Sequence, residues 1–307
     1  MGQVREVTAL TPEESETVLR LASAAAAHDG VRPLSEAALL DVRRAGPDPE
    51  DQAPTVHLLL DDGPVAPVRG YGRVELSDPP SAEIVVAPDS RHHGLGGRLV
   101  DHALQRWPQV RLWAHGDLAS ARRLYRSRGL EVARELWQMS RPLDGEWSDL
   151  PVAQLPEGFT VRPFQPGRDE AEWLRVNARA FADHAEQGRI SDADLRERMA
   201  EPWFDPAGFL LVEDVSGPGE ARLAAFHWTK VEPGGAEGEV YVVGVDPAYQ
   251  GRGLGRAATL LGLQHLRAAG LRTARLYVDG DNTAAIATYG RLGFERSAVD
   301  VMYAATA

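Results

Sequence analysis

Apolar positions in the second half of the chain change from the period of a strand to that of a helix. The run Glu239 to Val245 is apolar at most positions and predicts a strand. After a glycine-rich interval, apolar residues recur at helical spacing from about Gly255 to Ala269, at Leu260, Leu263 and Leu266. Gly270 follows directly, which favours a helix end there. The pattern therefore predicts a strand, a basic glycine loop and a helix in succession.

A weaker copy of this pattern lies 159 residues upstream. Four positions coincide at that offset, since Val86, Pro88, Gly94 and Gly96 correspond to Val245, Pro247, Gly253 and Gly255. The correspondence continues at an offset of 164, where Tyr125 and Gly129 match Tyr289 and Gly293. The larger offset means that the second copy has five extra residues between its loop and its next strand. Agreement over so long a stretch indicates a true internal repeat.

The repeat organises the whole chain into two domains. Val4 to Leu21 and Thr160 to Ala178 each predict a strand followed by an acidic amphipathic helix. Duplicated domains explain the period, because solenoid repeats run at roughly 20 to 50 residues. At 307 residues, two domains of about 150 each are expected. The predicted boundaries are 1–144 for the N-terminal domain, 145–157 for a linker with two prolines, and 158–307 for the C-terminal domain.

Composition narrows the class of function. The net charge of -12 and a pI near 5.3 argue against a general nucleic-acid-binding surface. No stretch approaches the ~20 apolar residues of a membrane span and the first residues form no secretory signal, so we expect a cytoplasmic protein with no membrane partner. The chain has no cysteine, which excludes disulfides, thiolate metal sites and an acyl-cysteine intermediate.

The glycine loop of the second copy suits a phosphate group. Its glycines allow close approach of the backbone, the following helix N-terminus adds partial positive charge, and Arg252 and Arg256 add full charges. A P-loop is excluded because no Gly-Lys-Ser or Gly-Lys-Thr follows. A dinucleotide fingerprint and a purely structural turn stay open. Gly253, Gly255 and Ala258 satisfy G-x-G-x-x-A, but seven residues separate the strand from the first of these glycines.

These motifs resemble the acyl-CoA pyrophosphate loop of the GNAT acetyltransferases, written Q/R-x-x-G-x-G/A. Gln250 to Gly255 carries the motif in the second copy and Arg91 to Gly96 carries it in the first. The later stretch from Leu276 to Phe294 is similar to the next element of that family, in which an asparagine and a tyrosine face the cofactor. The resemblance implies an α/β fold of two tandem GNAT domains, each with a mixed sheet, and acetyl-CoA as the acetyl donor.

The resemblance also implies which residues bind acetyl-CoA. In the second copy they are Val243, Gly244, Val245, Gln250, Gly251, Arg252, Gly253, Leu254, Gly255, Arg256 and Asn282. In the first copy they are Ile84, Val85, Val86, His92, His93, Gly94, Leu95, Gly96 and Gly97. No carboxylate or histidine has ligand spacing to His92 and His93, so we expect a phosphate-facing loop and no metal.

Two residues of the second copy are candidates for acid–base chemistry. The resemblance places the general base at Glu239, which the sequence alone would make an exposed glutamate at a strand edge. Strict alternation puts Glu239 on the face of Tyr241, Val243 and Val245, unless a bulge intervenes as GNAT strands at this position suggest. Tyr289 is the candidate acid for the leaving thiolate, since a phenol can return a proton to it; its alternative is a packed helix aromatic.

The first copy lacks part of this set. Counting six residues back from Val86 gives Pro80 at the position of Glu239, and a proline cannot act as a base. Leu118 replaces Asn282, whose own alternative role is a helix N-cap. We therefore expect the N-terminal domain to be non-catalytic, while its loop still binds CoA as the resemblance implies.

The acceptor is expected to be a small-molecule amine. The tandem arrangement resembles GNAT enzymes that acetylate the cysteinyl amine of a cysteinyl-glucosaminyl-inositol pseudodisaccharide, which implies acceptor contacts at Glu36, Glu186, Lys230, Glu239 and Tyr277. Another amine acceptor, such as an aminoglycoside or a protein N-terminus, and a non-catalytic CoA-binding module remain alternatives. A monomer is expected, because two fused GNAT units could cover each other's dimerisation surfaces.

Overall fold

The structure is a computed structural model that describes residues 3–44, 53–61, 67–145, 149–182 and 187–306. The chain forms two compact units, each discontinuous in sequence. The first unit comprises Met1–Leu136, Asp279–Asp281 and Ala298–Ala307, and the second comprises Trp137–Val278 and Asn282–Ser297. The last strand from Ala298 onward is thus grouped with the N-terminal half, so the units divide the chain differently from the predicted linear domains.

The first unit is a mixed sheet with helices on both faces. Its elements are β1 (Gln3–Val7), α1 (Pro12–Asp29), α2 (Glu36–Arg43), β2 (Thr55–Asp61), β3 (Gly70–Glu75), β4 (Ser81–Val86), α3 (Leu95–Arg106), β5 (Arg111–Ala114), α4 (Ala119–Arg126) and the end of β12 (Glu295–Ala305). The strand order is β1-β2-β3-β4-β5-β12. The pair β4–β5 is parallel, and the neighbouring pairs are antiparallel.

Alternation along β2 divides the core of this unit into two layers. Leu58 and Leu60 pack with α3, whereas Leu59 between them packs with α1 and α2. Side chains on a strand point to opposite faces in turn, so consecutive leucines serve different layers. A strand buried on both faces therefore reads as a continuous apolar run.

The second unit repeats this plan. Its elements are the end of β6 (Leu130–Pro142), β7 (Phe159–Pro163), α5 (Glu170–Ala180), α6 (Asp192–Met199), β8 (Phe209–Asp214), β9 (Arg222–Lys230), β10 (Glu237–Val245), α7 (Leu254–Ala268), β11 (Thr273–Asp279) and α8 (Thr283–Arg291). The strand order is β6-β11-β10-β9-β8-β7, with β10 and β11 parallel. The predicted strand and helix around the second glycine loop correspond to β10 and α7.

Two different cores cover the faces of this second sheet. On one face, the predicted leucines of α7, namely Leu260, Leu263 and Leu266, are completely buried against β10 and β11. On the other face, α5 and α6 cover a cluster of aromatic side chains in which Phe209 stacks on Trp228 at 4.4 Å between ring centroids. The aromatic face also carries the polar residues described below.

Candidate active site

The parallel strands β10 and β11 pair over only part of their length. Their register covers Glu237–Val240 and Thr273–Leu276, whereas β10 continues its pairing with β9 as far as Val245. Within the described part of the chain, the end of β10 therefore offers backbone groups toward β11 without a strand partner there. The predicted cofactor residues Val243, Gly244 and Val245 lie on this open edge.

The first unit has the same opening. The β4–β5 register ends at Glu83 and Trp113, while β4 goes on pairing with β3 to Val86. Ile84, Val85 and Val86, the predicted cofactor residues of the first copy, occupy the corresponding edge. The duplicated sequence motif thus coincides with a duplicated opening in the sheet.

Each opening leads into a glycine loop with left-handed backbone at two positions. In the second loop these are Gly251 (φ 77°) and Gly253 (φ 81°), and α7 begins at Leu254. In the first loop they are His92 (φ 65°) and Gly94 (φ 77°), and α3 begins at Leu95. His92 keeps this conformation despite its Cβ, which disfavours it. Both loops place a helix N-terminus, with its unpaired N–H groups, where an anion can bind.

The charges of the two loops differ. Arg252 and Arg256 of the second loop are exposed, and the Arg252 guanidinium lies 5.3 Å from the centroid of the Tyr249 ring. The corresponding residues of the first loop are His93 and Gly97. The first loop begins with Arg91, which donates two 2.7 Å hydrogen bonds to Asp29. The second loop therefore presents more uncompensated positive charge to a pyrophosphate.

The second loop is held at its start by Asp246. Its carboxylate accepts a 2.9 Å hydrogen bond from the Ala248 N–H and two more, of 2.9 and 3.0 Å, from Arg179 on α5. Burial alone would raise the pKa of Asp246, but these hydrogen bonds hold it below its usual value. Packing requires glycine at position 244, because a Cβ there would lie 2.7 Å from the Phe226 ring.

The bulge suggested for β10 is present and decides which way its side chains point. Val240 pairs with Thr229 and Val242 with Trp228, so Tyr241 is an extra residue in β10. Val240, Val243 and Val245 consequently pack on the α7 side, while Tyr241 and Val242 both pack on the aromatic face. Glu239, two residues before Tyr241, lies on the aromatic face and does not share the face of Val243 and Val245.

Glu239 lies between two cationic residues in the sheet register. It is opposite Lys230 on β9 and opposite Arg275 on β11. Arg275 donates from Nε to Glu239 Oε2 at 3.2 Å, and its Nη1 is 3.5 Å from Glu237 Oε2. Only 9% of Glu239 is exposed, so the glutamate is not the solvated edge residue that sequence alone would suggest. Sequence reasoning did not single out Arg275, although alternation with Tyr277 was a usable signal.

Lys230 extends the aromatic face. Its Nζ lies 4.7 Å from the ring centroid of Trp203 and 5.5 Å from that of Tyr241, and 3.2 Å from Glu232 Oε1. The Tyr241 hydroxyl accepts a 3.0 Å hydrogen bond from Arg198 on α6. Tyr277 follows Arg275 by two residues on β11 and is 41% exposed. The structure thus brings Lys230, Glu239 and Tyr277 to one face of three neighbouring strands.

Tyr289 lies on α8 and is half-buried beside Phe294, with 5.8 Å between the ring centroids. Burial raises the pKa of Tyr289 to about 12, so its phenol is protonated at neutral pH. Its hydroxyl forms no hydrogen bond with any residue in the described ranges. In the first unit, Tyr125 is only 3% exposed and donates to the Trp113 carbonyl at 3.0 Å. The two tyrosines of the repeat therefore differ, because only Tyr289 has a hydroxyl not already committed.

Asn282 caps α8. Its Oδ1 accepts from the Ala285 N–H at 3.1 Å, as the alternative interpretation of this residue stated. The side-chain amide nitrogen remains as a donor toward a cofactor. Leu118, its counterpart before α4, makes no side-chain cap, so the replacement removes both the cap and the donor.

The register corrects the position assigned to the base in the first copy. Glu239 pairs with Arg275, and the equivalent pair in the first unit is Ser81 with Arg111. Pro80 was therefore the wrong counterpart, because the bulge at Tyr241 adds one residue that β4 lacks. Serine at this position is not a carboxylate base either, so the first copy still lacks one.

The remaining candidates are dispersed. Glu36 is the first residue of α2 and belongs to the first unit. Glu186 lies outside the described residues. Among the residues described, no group of three histidine, cysteine or acidic side chains could hold a metal ion. The described helices also include none with the length and apolar character needed to cross a membrane.

Comparisons with known proteins agree with this geometry. Residues 171–294 match the Acetyltransferase (GNAT) family, and residues 53–132 match an Acetyltransferase (GNAT) domain. A mycothiol acetyltransferase of Kytococcus sedentarius is 54% identical over 294 residues, which cover 96% of this chain and 95% of the relative. One from Thermobispora bispora is 53% identical over 299 residues, covering 95% and 96%.

A solved structure shows the same architecture. The tandem GNAT protein from the clavulanic acid biosynthesis pathway superposes with a TM-score of 0.69 at 18% identity, covering 99% of this chain and 98% of its own. The predicted fold of two tandem GNAT domains with mixed sheets is confirmed. The family matches also favour acyl-CoA over a dinucleotide at the glycine loop.

Proposed function

Because this chain belongs to the mycothiol acetyltransferases of the GNAT family, we propose that it makes mycothiol. It transfers acetyl from acetyl-CoA to the cysteinyl amine of cysteinyl-glucosaminyl-inositol and releases CoA. The observation that carries the proposal is the partly opened β10–β11 pair of the second unit. The glycine loop follows this open part of β10 in the chain, and Glu239 lies in the paired part of β10 that precedes it.

The donor binds along the open edge of β10. We assign the pantetheine arm to the backbone of Val243, Gly244 and Val245, since these strand groups are available on the β11 side. The pyrophosphate is assigned to the loop from Gln250 to Arg256, where the start of α7 and two arginines favour an anion. Asn282 contributes its amide nitrogen. The corresponding residues of the first unit are proposed to hold a CoA without supporting turnover.

The transfer is a direct attack, since a chain without cysteine cannot form an acyl-cysteine. The neutral amine nitrogen attacks the thioester carbonyl carbon, so a C–N bond forms and the C–S bond breaks. The amine proton passes to Glu239 through water, and Tyr289 gives a proton to the departing sulfur. An α-amino group has a pKa near 7.7 to 8.0, so even a weak carboxylate base that acts through water is sufficient.

The acceptor is a small polyol amine and needs mixed polar contacts. Lys230, Glu239 and Tyr277 supply a cation, an anion and a hydroxyl on one face of the sheet. Glu36 and Glu186 complete the proposed set through the family resemblance. We further propose that the enzyme acts in the cytoplasm as a monomer, without a nucleic-acid or membrane partner.

The decisive experiment offers the purified protein acetyl-CoA with the cysteinyl pseudodisaccharide, and separately with aminoglycosides and peptide N-termini. CoA is measured by chromatography and the product by mass. Acetylation on nitrogen leaves the cysteinyl thiol free, so the product must still react with a thiol-alkylating reagent. Turnover of another amine in preference to the pseudodisaccharide would refute the assigned acceptor. Binding of acetyl-CoA without any turnover would instead support the non-catalytic alternative.

A further inference from the structure

Helix α2 begins without the carboxylate that completes the caps of α1 and α6. In α1, Thr11 caps the helix and Glu14 at the third position accepts from the Thr11 N–H at 2.8 Å. In α6, Ser191 and Asp194 form the same reciprocal arrangement. Ser35 caps α2, but the third position is Ala38. Ala38 is completely buried, so the core leaves no room for a glutamate there.

Glu83 supplies the missing carboxylate from the sheet. The Ser35 N–H donates to Glu83 Oε2 at 2.5 Å, and the Ser35 hydroxyl donates to Oε1 at 2.6 Å. The same hydroxyl accepts the Ala38 N–H at 3.2 Å, which completes the cap. The two ends of this reciprocal cap are 48 residues apart in sequence. Because this carboxylate belongs to β4, it fixes the start of α2 to the sheet. A carboxylate within α2 itself could not do this.

The carboxylate of Glu83 is itself held by a buried ion pair. His115 Nε2 lies 3.1 Å from Glu83 Oε2, and His115 Nδ1 lies 3.1 Å from Asp300 Oδ2. Both imidazole nitrogens therefore face carboxylates, which requires the doubly protonated cation. Asp300 is fixed in turn by a 2.7 Å hydrogen bond from the Gly116 N–H. Glu83 is 4% exposed, so its carboxylate is shielded from water.

The residue next to Ser35 is Glu36, which our proposed function assigns to the acceptor. We infer that Glu83 is a positioning residue for acceptor binding, because it holds the N-terminus of α2, whose first residue is Glu36. Glu83 does not contact the acceptor and acts through Ser35. His115 and Asp300 orient Glu83. The inference rests on the proposed function only through the role of Glu36.

The test compares Glu83→Gln, Glu83→Ala and Ser35→Gly in the full chain. Glu83→Gln retains one oxygen that accepts from Ser35, and glycine is tolerated at an N-cap position. Glu83→Gln and Ser35→Gly should therefore stay folded even if Glu83→Ala does not. Loss of the cap is expected to raise the KM for the acceptor roughly five- to tenfold, in the order Ala, Gly, Gln. The kcat at saturating acceptor and the KM for acetyl-CoA stay unchanged. Glu14→Gln removes the cap carboxylate of α1 and is the matched control, with no change in acceptor KM.

Two further measurements separate this inference from the proposed function. Amide hydrogen exchange in the first turn of α2 should accelerate in Glu83→Ala, and this readout does not depend on any acceptor. In a double-mutant cycle, Glu36→Gln and Glu83→Ala should be non-additive, since both act on one contact. Accelerated exchange with additive effects would overturn the positioning role. Unchanged exchange in Glu83→Ala would overturn the inference altogether. Failure of the wild-type protein to acetylate the pseudodisaccharide concerns only the proposed function.

Discussion

Glu239 and Arg275 are register partners on the parallel strands β10 and β11, and the Arg275 Nε lies 3.2 Å from Glu239 Oε2. The pair lies immediately before the point where these strands part. Arg275 orients the carboxylate through this charge-assisted hydrogen bond. The candidate base is therefore placed by sheet geometry beside the opening to which the proposed function assigns acetyl-CoA.

Replacing Glu239 by glutamine should abolish most of the turnover. The change Glu239→Gln preserves the shape of the side chain but removes proton acceptance, and we expect kcat to fall about 10²- to 10⁴-fold. Acetyl-CoA binding, measured by calorimetry, should persist. Glu237→Gln is the matched control, since Glu237 is on the same strand and also lies near Arg275. Similar kcat values for wild type and Glu239→Gln would remove Glu239 from its role.

Loss of the hydroxyl should lower turnover at Tyr289 and lower stability at Tyr125. Tyr289→Phe removes the uncommitted phenol, so kcat should fall about 10²-fold or more with little change in stability. Tyr125→Phe breaks a buried hydrogen bond to Trp113, so it should lower the free energy of unfolding by about 1 kcal/mol and leave kcat intact. Steady-state kinetics and urea unfolding measure both. A catalytic loss at Tyr125 with none at Tyr289 would reverse the assignment of the active domain.

The left-handed glycines allow a comparison of the two loops. Space is open around a Cβ at both Gly253 and Gly94, so alanine acts only through backbone strain of about 1–2 kcal/mol. Gly253→Ala should raise the KM for acetyl-CoA and lower kcat/KM. Gly94→Ala should leave turnover unchanged, because the proposed function assigns catalysis to the second unit. Equal effects on turnover would argue that both loops support catalysis.

Stability should depend on pH through the buried pair of the first unit. Burial alone would lower the pKa of His115, but the carboxylates of Asp300 and Glu83 outweigh it and raise the pKa to about 10. The folded state therefore holds the proton more tightly than the unfolded state, whose histidine pKa is near 6.5. This contribution is complete below pH 6.5 and is lost as the pH rises toward about 10.

The contribution of Glu83 to stability depends on pH in the opposite direction. Burial would raise its pKa, but contacts with His115, Arg73 and Ser35 lower it to about 2. Its contribution is present above about pH 4.5 and is lost as the pH falls through that value toward 2. Melting temperatures recorded across these ranges should decline at both ends. His115→Gln should flatten the alkaline decline, and an unchanged alkaline slope in that variant would contradict the pairing.

The internal repeat made much of this architecture predictable. Glycines, prolines and hydrophobic periodicity act locally, so Gly253, Gly94 and the leucines of α7 could be assigned before any contact was known. The position of Tyr289 followed from the same repeat. Trp203 could not be found in this way, because packing brought it to Lys230, and strand register was needed to place Arg275 beside Glu239.

The sequence by itself determined that the chain contains two strand–loop–helix copies and that only the second has an asparagine and a glutamate at the positions of Asn282 and Glu239. The tertiary structure alone decided three further matters. The bulge at Tyr241 set the face of Glu239 and moved its counterpart from Pro80 to Ser81. Packing grouped the last strand with the first unit, and Glu83 became the cap of a helix 48 residues away. Each depends on pairing between distant segments, where one inserted residue reverses the direction of the side chains beyond it.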